Sequence, residues 1–145
     1  MRGATFIHGL VAIAIAAGVP TAVAAQPRAA TLKTQSVAGV EARAQQAQVI
    51  NDMLFSFAEL GLHEVETARY LTGLLEQEGF TVERGVSGLP TGWVARWTNG
   101  GGGPVIAIGS DIDGIPKASQ KPGIPWREPM VDGAPGHGEG HNSGQ

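Results

Sequence analysis

The chain has 145 residues, a net charge of −3 and only 10 lysine and arginine residues, so a single ordinary domain is expected and nothing indicates a nucleic-acid partner. It contains no cysteine, which excludes disulfides, thiolate metal sites and cysteine nucleophiles. Its apolar content of 42% is high enough for a hydrophobic core.

The first residues predict an export signal. Arg2 supplies a positive charge, residues 10–19 (LVAIAIAAGV) form a short apolar run, and residues 22–24 (AVA) have the small-x-small pattern of a cleavage site. The alternative is an uncleaved membrane anchor, but the run is shorter than the roughly 18 residues that span a bilayer. We therefore expect a signal peptide over residues 1–24, no stable membrane anchor, and a periplasmic or secreted mature protein.

The next segments predict a linker and then a helix. Residues 25–36 are polar and small, and a linker is expected over residues 25–39, with the folded part running from 40 to 145. A helical pattern extends over 37–60, where Ile50, Met53, Leu54 and Phe57 recur at helical spacing. Gly61 stands where a C′ glycine would end this helix.

A second helix is predicted over residues 64–78. Its apolar face comprises Val65, Ala68, Leu71, Leu74 and Leu75, and Gly79 closes it. Because the link over residues 61–63 is short, the two helices should pack as neighbours.

After Gly79 the apolar period changes to two, which predicts strands over 80–86 and 92–98 separated by a turn. Trp93 and Trp97 share one face, which we expect to pack under a helix; the alternative is an aromatic binding platform. The apolar run over 104–111 predicts a strand buried on both faces. Helices followed by these strands predict an α/β layered domain, and a long irregular loop follows from Gly114.

Two aspartates follow the predicted buried strand. Asp111 and Asp113 lie at its carboxyl end, where ligand sites gather in α/β sheets. Paired carboxylates there can bind a cation or orient a histidine ligand. The alternative is a polar turn with Gly114 at its tip.

A second candidate group lies in the glycine-rich closing segment. His137, Glu139 and His141 are spaced by two residues, so an extended backbone would point all three the same way. Imidazole nitrogens and carboxylate oxygens are ordinary zinc ligands. The alternative is a low-complexity tail in which these residues have no role.

Three motifs in this order resemble a known family. They are FAELGLHEVETARYLTGLLEQEGFTVERGV (57–86), GSDIDGIPKASQKPG (109–123) and VDGAPGHGEGHN (131–142). The series resembles the amino-terminal part of the zinc-dependent aminoacylase/carboxypeptidase family of amidohydrolases, and within it the p-aminobenzoyl-glutamate hydrolase branch. The resemblance implies an incomplete part of a three-layer phosphorylase/hydrolase-like catalytic domain.

The resemblance also implies roles for individual residues. Asp113 resembles the catalytic-site aspartate that orients a metal ligand, and His141 resembles the histidine ligand of the GHN turn. Glu139 stands where this branch usually has cysteine, so a carboxylate would replace a thiolate as ligand, which suits Zn or Mn. Asp111 and His137 would support the ligands without binding the metal.

The implied activity is metal-dependent hydrolysis of an amide in a small molecule, such as an N-acyl amino acid or p-aminobenzoyl-glutamate. In this family the catalytic glutamate, further metal ligands and the lid that forms the homodimer follow the GHN turn. We therefore expect the chain to be an amino-terminal piece that is inactive by itself. The alternative is an exported, non-enzymatic metal-binding module.

Overall fold

A computed structural model describes residues 25–144. The predicted signal peptide, residues 1–24, lies outside the described residues. The described residues divide into two compact units, with the boundary between Ala42 and Arg43. Within residues 25–144, no helix is both long and apolar enough to cross a membrane.

The first described element is helix α1, Ala25–Glu41. The segment predicted as a linker, residues 25–39, is therefore helical. The polar residues do not interrupt the helix, because the hydroxyls of Thr34 and Ser36 donate to the carbonyls of Ala30 and Leu32 four residues earlier.

Helix α2, Ala44–Phe57, opens the second unit. The single helical pattern predicted over 37–60 is thus divided at Ala42–Arg43, and α2 ends before Gly61. The end is set by Ala58, which adopts the left-handed conformation (φ 48°) and donates its N–H to the Leu54 carbonyl at 3.1 Å. The Leu54 side chain is fully buried.

Helix α3, Val65–Gln77, confirms the second predicted helix. It packs against α2 as expected, with the rings of Phe57 and Tyr70 in an edge-to-face contact at 5.9 Å. The buried residues are Leu71 with the fully buried Thr67 and Thr72, whereas Val65 is 60% exposed. The buried face of α3 therefore includes Thr67 and Thr72, which the predicted apolar face did not, and leaves Val65 out.

Strands β1, Thr81–Arg84, and β2, Trp93–Arg96, form an antiparallel hairpin in which Thr81 pairs with Arg96. Both strands contact α3. Trp93 is half-buried, but Trp97 is 58% exposed beside Phe80, so the predicted packing under a helix is wrong for Trp97.

The predicted buried strand over 104–111 is also wrong, because these residues adopt no regular structure. Val105, Ile106 and Ile108 are 96%, 83% and 95% exposed. A strand needs a neighbour for its backbone hydrogen bonds and its side chains. Within residues 25–144 the sheet consists of β1 and β2 alone, so this run has no strand to pair with. Three helices followed by the hairpin are compatible with a partial α/β fold.

Candidate functional site

The site begins at the link between α2 and α3, which holds the segment around Asp113. The Gly114 N–H donates to the Glu59 carbonyl at 2.6 Å, in a short parallel bridge between Leu60 and Gly114. Gly61 lies against the Asp113 carboxylate, since a Cβ at Gly61 would be 3.2 Å from Asp113 Oδ2. The backbone of the link therefore fixes the position of Asp113.

The glycine-rich closing segment docks on the same backbone. Ile115 and Gly136 exchange two backbone hydrogen bonds of 2.9 and 3.1 Å, and the Ser119 N–H donates to the Ala134 carbonyl. A Cβ at Gly136 would be only 2.3 Å from the Ala118 carbonyl oxygen, so only glycine fits there. The segment is thus a packed loop, which argues against a tail without a role.

His141 and Asp113, 28 residues apart in sequence, meet at this point. His141 Nδ1 lies 2.9 Å from Asp113 Oδ1 and 3.2 Å from the Asp113 carbonyl oxygen. Both of these oxygens are acceptors, so Nδ1 carries the proton and Nε2 is the basic nitrogen. A carboxylate that fixes the tautomer in this way is the usual partner of a metal-binding histidine.

The charge around His141 favours its protonated form. Desolvation works to lower the pKa of His141, but the hydrogen bonds to Asp113 and the charges of Asp113 and Glu139 outweigh it and raise this pKa. The 2.9 Å distance between His141 Nδ1 and Asp113 Oδ1 and the raised pKa of His141 therefore agree with the predicted pairing of an aspartate with the GHN histidine.

Glu139 lies beside both histidines. Its Oε1 is 3.5 Å from Nδ1 of His137 and 3.5 Å from Nδ1 of His141, and its Oε2 accepts the Gly138 N–H at 2.9 Å. Desolvation works to raise the pKa of Glu139, but backbone N–H groups and the two histidines hold it below its ordinary value. Glu139 is therefore an anion between two imidazoles.

His137 and Asn142 anchor the loop to α2. The His137 side chain is only 2% exposed, and its Nε2 is 3.1 Å from the Leu54 carbonyl oxygen. The Asn142 amide donates to Asn51 Oδ1 at 3.0 Å. Both contacts span more than eighty residues of sequence, and the sequence pattern contains no signal for either.

Asp111, the other predicted aspartate, is exposed. Among residues 25–144, no group of three or more His, Asp or Glu side chains is arranged to hold a metal ion. The structure thus brings Asp113, His137, Glu139 and His141 together, but as a chain of pairwise contacts.

Glu59 is a residue that sequence reasoning missed. Its carboxylate accepts the N–H groups of Glu66 and Thr67 at 3.0 and 2.8 Å and so caps the first turn of α3. The only sequence signal is an acidic residue shortly before a helix start, where an anion is favourable. Glu59 therefore connects two features: its side chain caps α3, and its carbonyl accepts the Gly114 N–H next to Asp113.

Two relatives show what this chain is similar to. It is 35% identical over 103 residues to a subunit of the p-aminobenzoyl-glutamate hydrolase of Escherichia coli (strain K12), a match that covers 71% of this chain and 21% of the relative. It is 43% identical over 63 residues to an uncharacterized hydrolase of Staphylococcus haemolyticus (strain JCSC1435), covering 43% of this chain and 15% of that protein. The matches thus span about a fifth or less of these relatives.

No family model and no solved structure matches the chain. The resemblance predicted from the three motifs nevertheless agrees with the two sequence matches, both of which are to hydrolases. Over the matched part of its length, the chain belongs to the family of hydrolases that includes p-aminobenzoyl-glutamate hydrolase.

Proposed function

We propose that this chain contributes to a metal-dependent hydrolase of amide bonds, with an N-acyl amino acid or aryl-glutamate such as p-aminobenzoyl-glutamate as substrate. The observation that carries the proposal is the 2.9 Å contact between His141 Nδ1 and Asp113 Oδ1, which leaves Nε2 as the basic, ligand-type nitrogen of His141. The name of the Escherichia coli relative supports the substrate class.

Imidazole nitrogen and carboxylate oxygen are donor types that suit a divalent metal such as Zn or Mn. No single group of three such donors is arranged for this among residues 25–144, so further ligands would complete the set. His141 and Glu139 would hold the ion, and Asp113 would keep the His141 ring in the required tautomer. When bound, such an ion polarises an amide carbonyl and lowers the pKa of a water. Glu139, held anionic by its surroundings, is chemically suited to replace a thiolate as a hard ligand for these metals.

The wider setting of this site is part of the proposal. A three-layer hydrolase-like domain would provide the exposed run over 104–111 with neighbouring strands, which agrees with its apolar sequence. Export through residues 1–24 would place the enzyme in the periplasm or outside the cell. Amino-terminal sequencing of the exported protein should then start near residue 25, whereas an intact residue 1 would contradict export with cleavage.

A chimera tests the function directly. Residues 43–145 of this chain replace the matching segment of the Escherichia coli relative, and hydrolysis of p-aminobenzoyl-glutamate is measured with Zn²⁺ or Mn²⁺. We expect turnover that is lost in His141→Ala and strongly reduced in Asp113→Ala. A chimera with an intact fold by circular dichroism but no turnover on any N-acyl amino acid would contradict the proposal.

The same assay on the 145-residue chain tests the prediction that it is inactive by itself. Turnover that depends on metal and disappears in His141→Ala would contradict that prediction. The alternative, a non-enzymatic metal-binding module, predicts tight stoichiometric metal binding by this chain together with an inactive chimera.

A further inference from the structure

The GHN turn is closed by its own hydrogen bonds. The Gly140 carbonyl accepts the backbone N–H groups of Ser143 and Gly144, both at 3.0 Å, and the Ser143 hydroxyl at 3.1 Å. Gly140 itself has a φ of 100°, in the left-handed region that favours glycine. His141 and Asn142 are therefore neighbours in one small closed turn, so a contact that fixes one of them restricts the other.

The contact between His141 and Asp113 holds the histidine ring only weakly by itself. Nδ1 lies 2.9 Å from Asp113 Oδ1, but both side chains are 35% exposed. A pair in contact with water contributes little to fixing two side chains, because water competes for both partners and the side chains lose rotamer freedom. The direction of the His141 ring therefore depends on a second contact that holds the backbone of the turn.

Asn142 provides that second contact. Its Nδ2 donates to Asn51 Oδ1 on α2 at 3.0 Å, and both asparagines are half-buried. Asn51 lies three residues before Leu54, whose carbonyl contacts His137, so the two anchors of the loop lie on the same face of α2. The turn that contains His141 is thus attached to α2 through the amide pair of Asn142 and Asn51.

We infer that Asn51 is a positioning residue for His141. It acts through Asn142, whose amide it binds, and so holds the turn where His141 Nδ1 reaches Asp113. The inference rests on the proposed function, since the position of His141 matters for turnover only if that function holds. It gives a task to a helix residue that lies outside all three motifs of the family resemblance.

The amide pair allows a test by exchange of donor and acceptor. In Asn51→Asp the new carboxylate still accepts the Asn142 N–H. In Asn142→Asp the Asn51 amide turns and donates to the new carboxylate, and this rotation gives up only a 3.5 Å contact with Asp52. With both substitutions together, two carboxylates face each other, so no hydrogen bond forms and the charges repel. Asn51→Leu removes the acceptor while keeping a side chain of similar size.

Nuclear magnetic resonance on the full 145-residue chain measures the outcome. Cross-relaxation between protons of the His141 ring and of Asp113 reports their contact, and hydrogen exchange of the Ser143 and Gly144 N–H groups reports the turn. We expect each single aspartate variant to keep the contact, and the double variant and Asn51→Leu to lose it. Exchange in the turn should then rise about fivefold, the factor that corresponds to one net hydrogen bond.

A thermal unfolding scan separates positioning from a merely structural role. An asparagine that only stabilised the fold would lower the unfolding midpoint and leave the contact between His141 and Asp113 intact in the folded molecules. Gln48→Leu is the matched control. Gln48 lies on the same helix and its amide also donates a hydrogen bond, but to Asp52 within α2 at 2.8 Å, so this variant should change neither the contact nor the exchange in the turn.

The chimera with the Escherichia coli relative adds a kinetic measurement. Asn51→Leu should lower kcat about fivefold and leave KM unchanged, because Asn51 acts on the turn and not on the substrate. Asn51→Asp should restore kcat, since it restores the acceptor.

Three results would overturn the inference. They are a contact between His141 and Asp113 that persists in folded Asn51→Leu, one that persists in the double variant, and one that is lost in either single aspartate variant. If Asn51→Leu does not fold, the aspartate series decides. An inactive chimera, together with the expected pattern of contacts in the 145-residue chain, would contradict the proposed function alone. An active chimera with a contact that no variant changes would contradict this inference alone.

Discussion

The helix-and-hairpin region over 65–96 and the loop region over 113–142 are held together in different ways. In the first region, α3 packs on the antiparallel hairpin of β1 and β2, and exposed ion pairs such as Arg84–Glu76 lie on the surface of this region. In the second, two isolated bridges and a few side-chain hydrogen bonds connect segments without regular structure. Both regions are attached to the end of α2.

The difference shows where single residues matter. Repeated backbone hydrogen bonds stabilise the hairpin together, so a lost side-chain contact there has a small effect. In the loop region a single glycine or histidine contact can determine the path of the backbone. The isolated bridges there do not form a continuous series of backbone hydrogen bonds that would hold the chain if such a contact were lost. The candidate site is built in the second region, where its geometry depends on few contacts.

A substitution in the core of α2, the helix that both regions contact, should have the largest effect on stability. Leu54 is fully buried, and its carbonyl contacts His137. Leu54→Ala should reduce the free energy of unfolding by about 2–5 kcal/mol because it leaves a cavity. Urea unfolding checks this, with Val49→Ala as control: Val49 lies on the same helix, is 47% exposed, and should change stability by about 0.5 kcal/mol or less. Equal effects for the two variants would contradict this core.

Gly136→Ala should affect the loop region alone. Its Cβ would lie 2.3 Å from the Ala118 carbonyl oxygen, which forces the two backbones apart at an expected cost of about 1–3 kcal/mol. Zn²⁺ binding should weaken with it. Gly138→Ala is the matched control, because its Cβ would meet only the end of the Ile115 side chain at 3.4 Å. A Gly136→Ala variant with native stability and binding would show that the loop is not packed as described.

Glu59→Ala should affect the junction between the regions. The substitution removes the acceptor of two N–H groups in the first turn of α3, which should cost about 1 kcal/mol. Thermal unfolding measures the cost, and hydrogen exchange at Glu66 and Thr67 locates it. Glu78→Ala, an exposed residue just past the other end of α3, should have little effect on either measurement.

The smallest effect should come from the ion pair on the hairpin region. The hydrogen bond from Arg84, with the Arg84 charge, lowers the pKa of Glu76 below its ordinary value of 4.5 against the opposing effect of burial. A carboxyl group whose pKa is lower in the folded than in the unfolded state stabilises the fold at pH values above the unfolded-state pKa. This stabilisation is lost as the pH falls through the folded-state pKa. Glu76→Gln should therefore flatten the stability loss between about pH 5 and pH 3 slightly. Glu78→Gln, with the same charge change, should not; identical pH profiles for all three chains would contradict the pairing.

Several features of the fold can be predicted from local pattern. Helix α3 follows from apolar residues at helical spacing and the glycine behind them, and the hairpin follows from alternation around a turn. Helix α1 does not follow, because a run of small polar residues suggests a linker, although Thr34 and Ser36 satisfy their hydroxyls within the helix. The apolar run over 104–111 has the composition of a buried strand, but composition carries no information about whether a neighbouring strand is present.

The candidate site depends even less on local pattern. The family resemblance pairs Asp113 with the GHN histidine, and the 2.9 Å contact agrees with that pairing. The anchoring of His137 to the end of α2 has no local signal, because its two partners are 83 residues apart. The cap supplied by Glu59 is similar, since its carboxylate reaches a helix start seven and eight residues away.

The sequence by itself determined the periodic elements, the order of the motifs and the kinship with p-aminobenzoyl-glutamate hydrolase, because spacing and identity are properties of the chain alone. Only the tertiary structure decided which ring nitrogen of His137 and of His141 lies against a carbonyl or a carboxylate oxygen, because that choice depends on atoms far away in sequence. Those contacts give the ligand-type side chains of the glycine-rich segment fixed orientations, which no pattern in the sequence specifies.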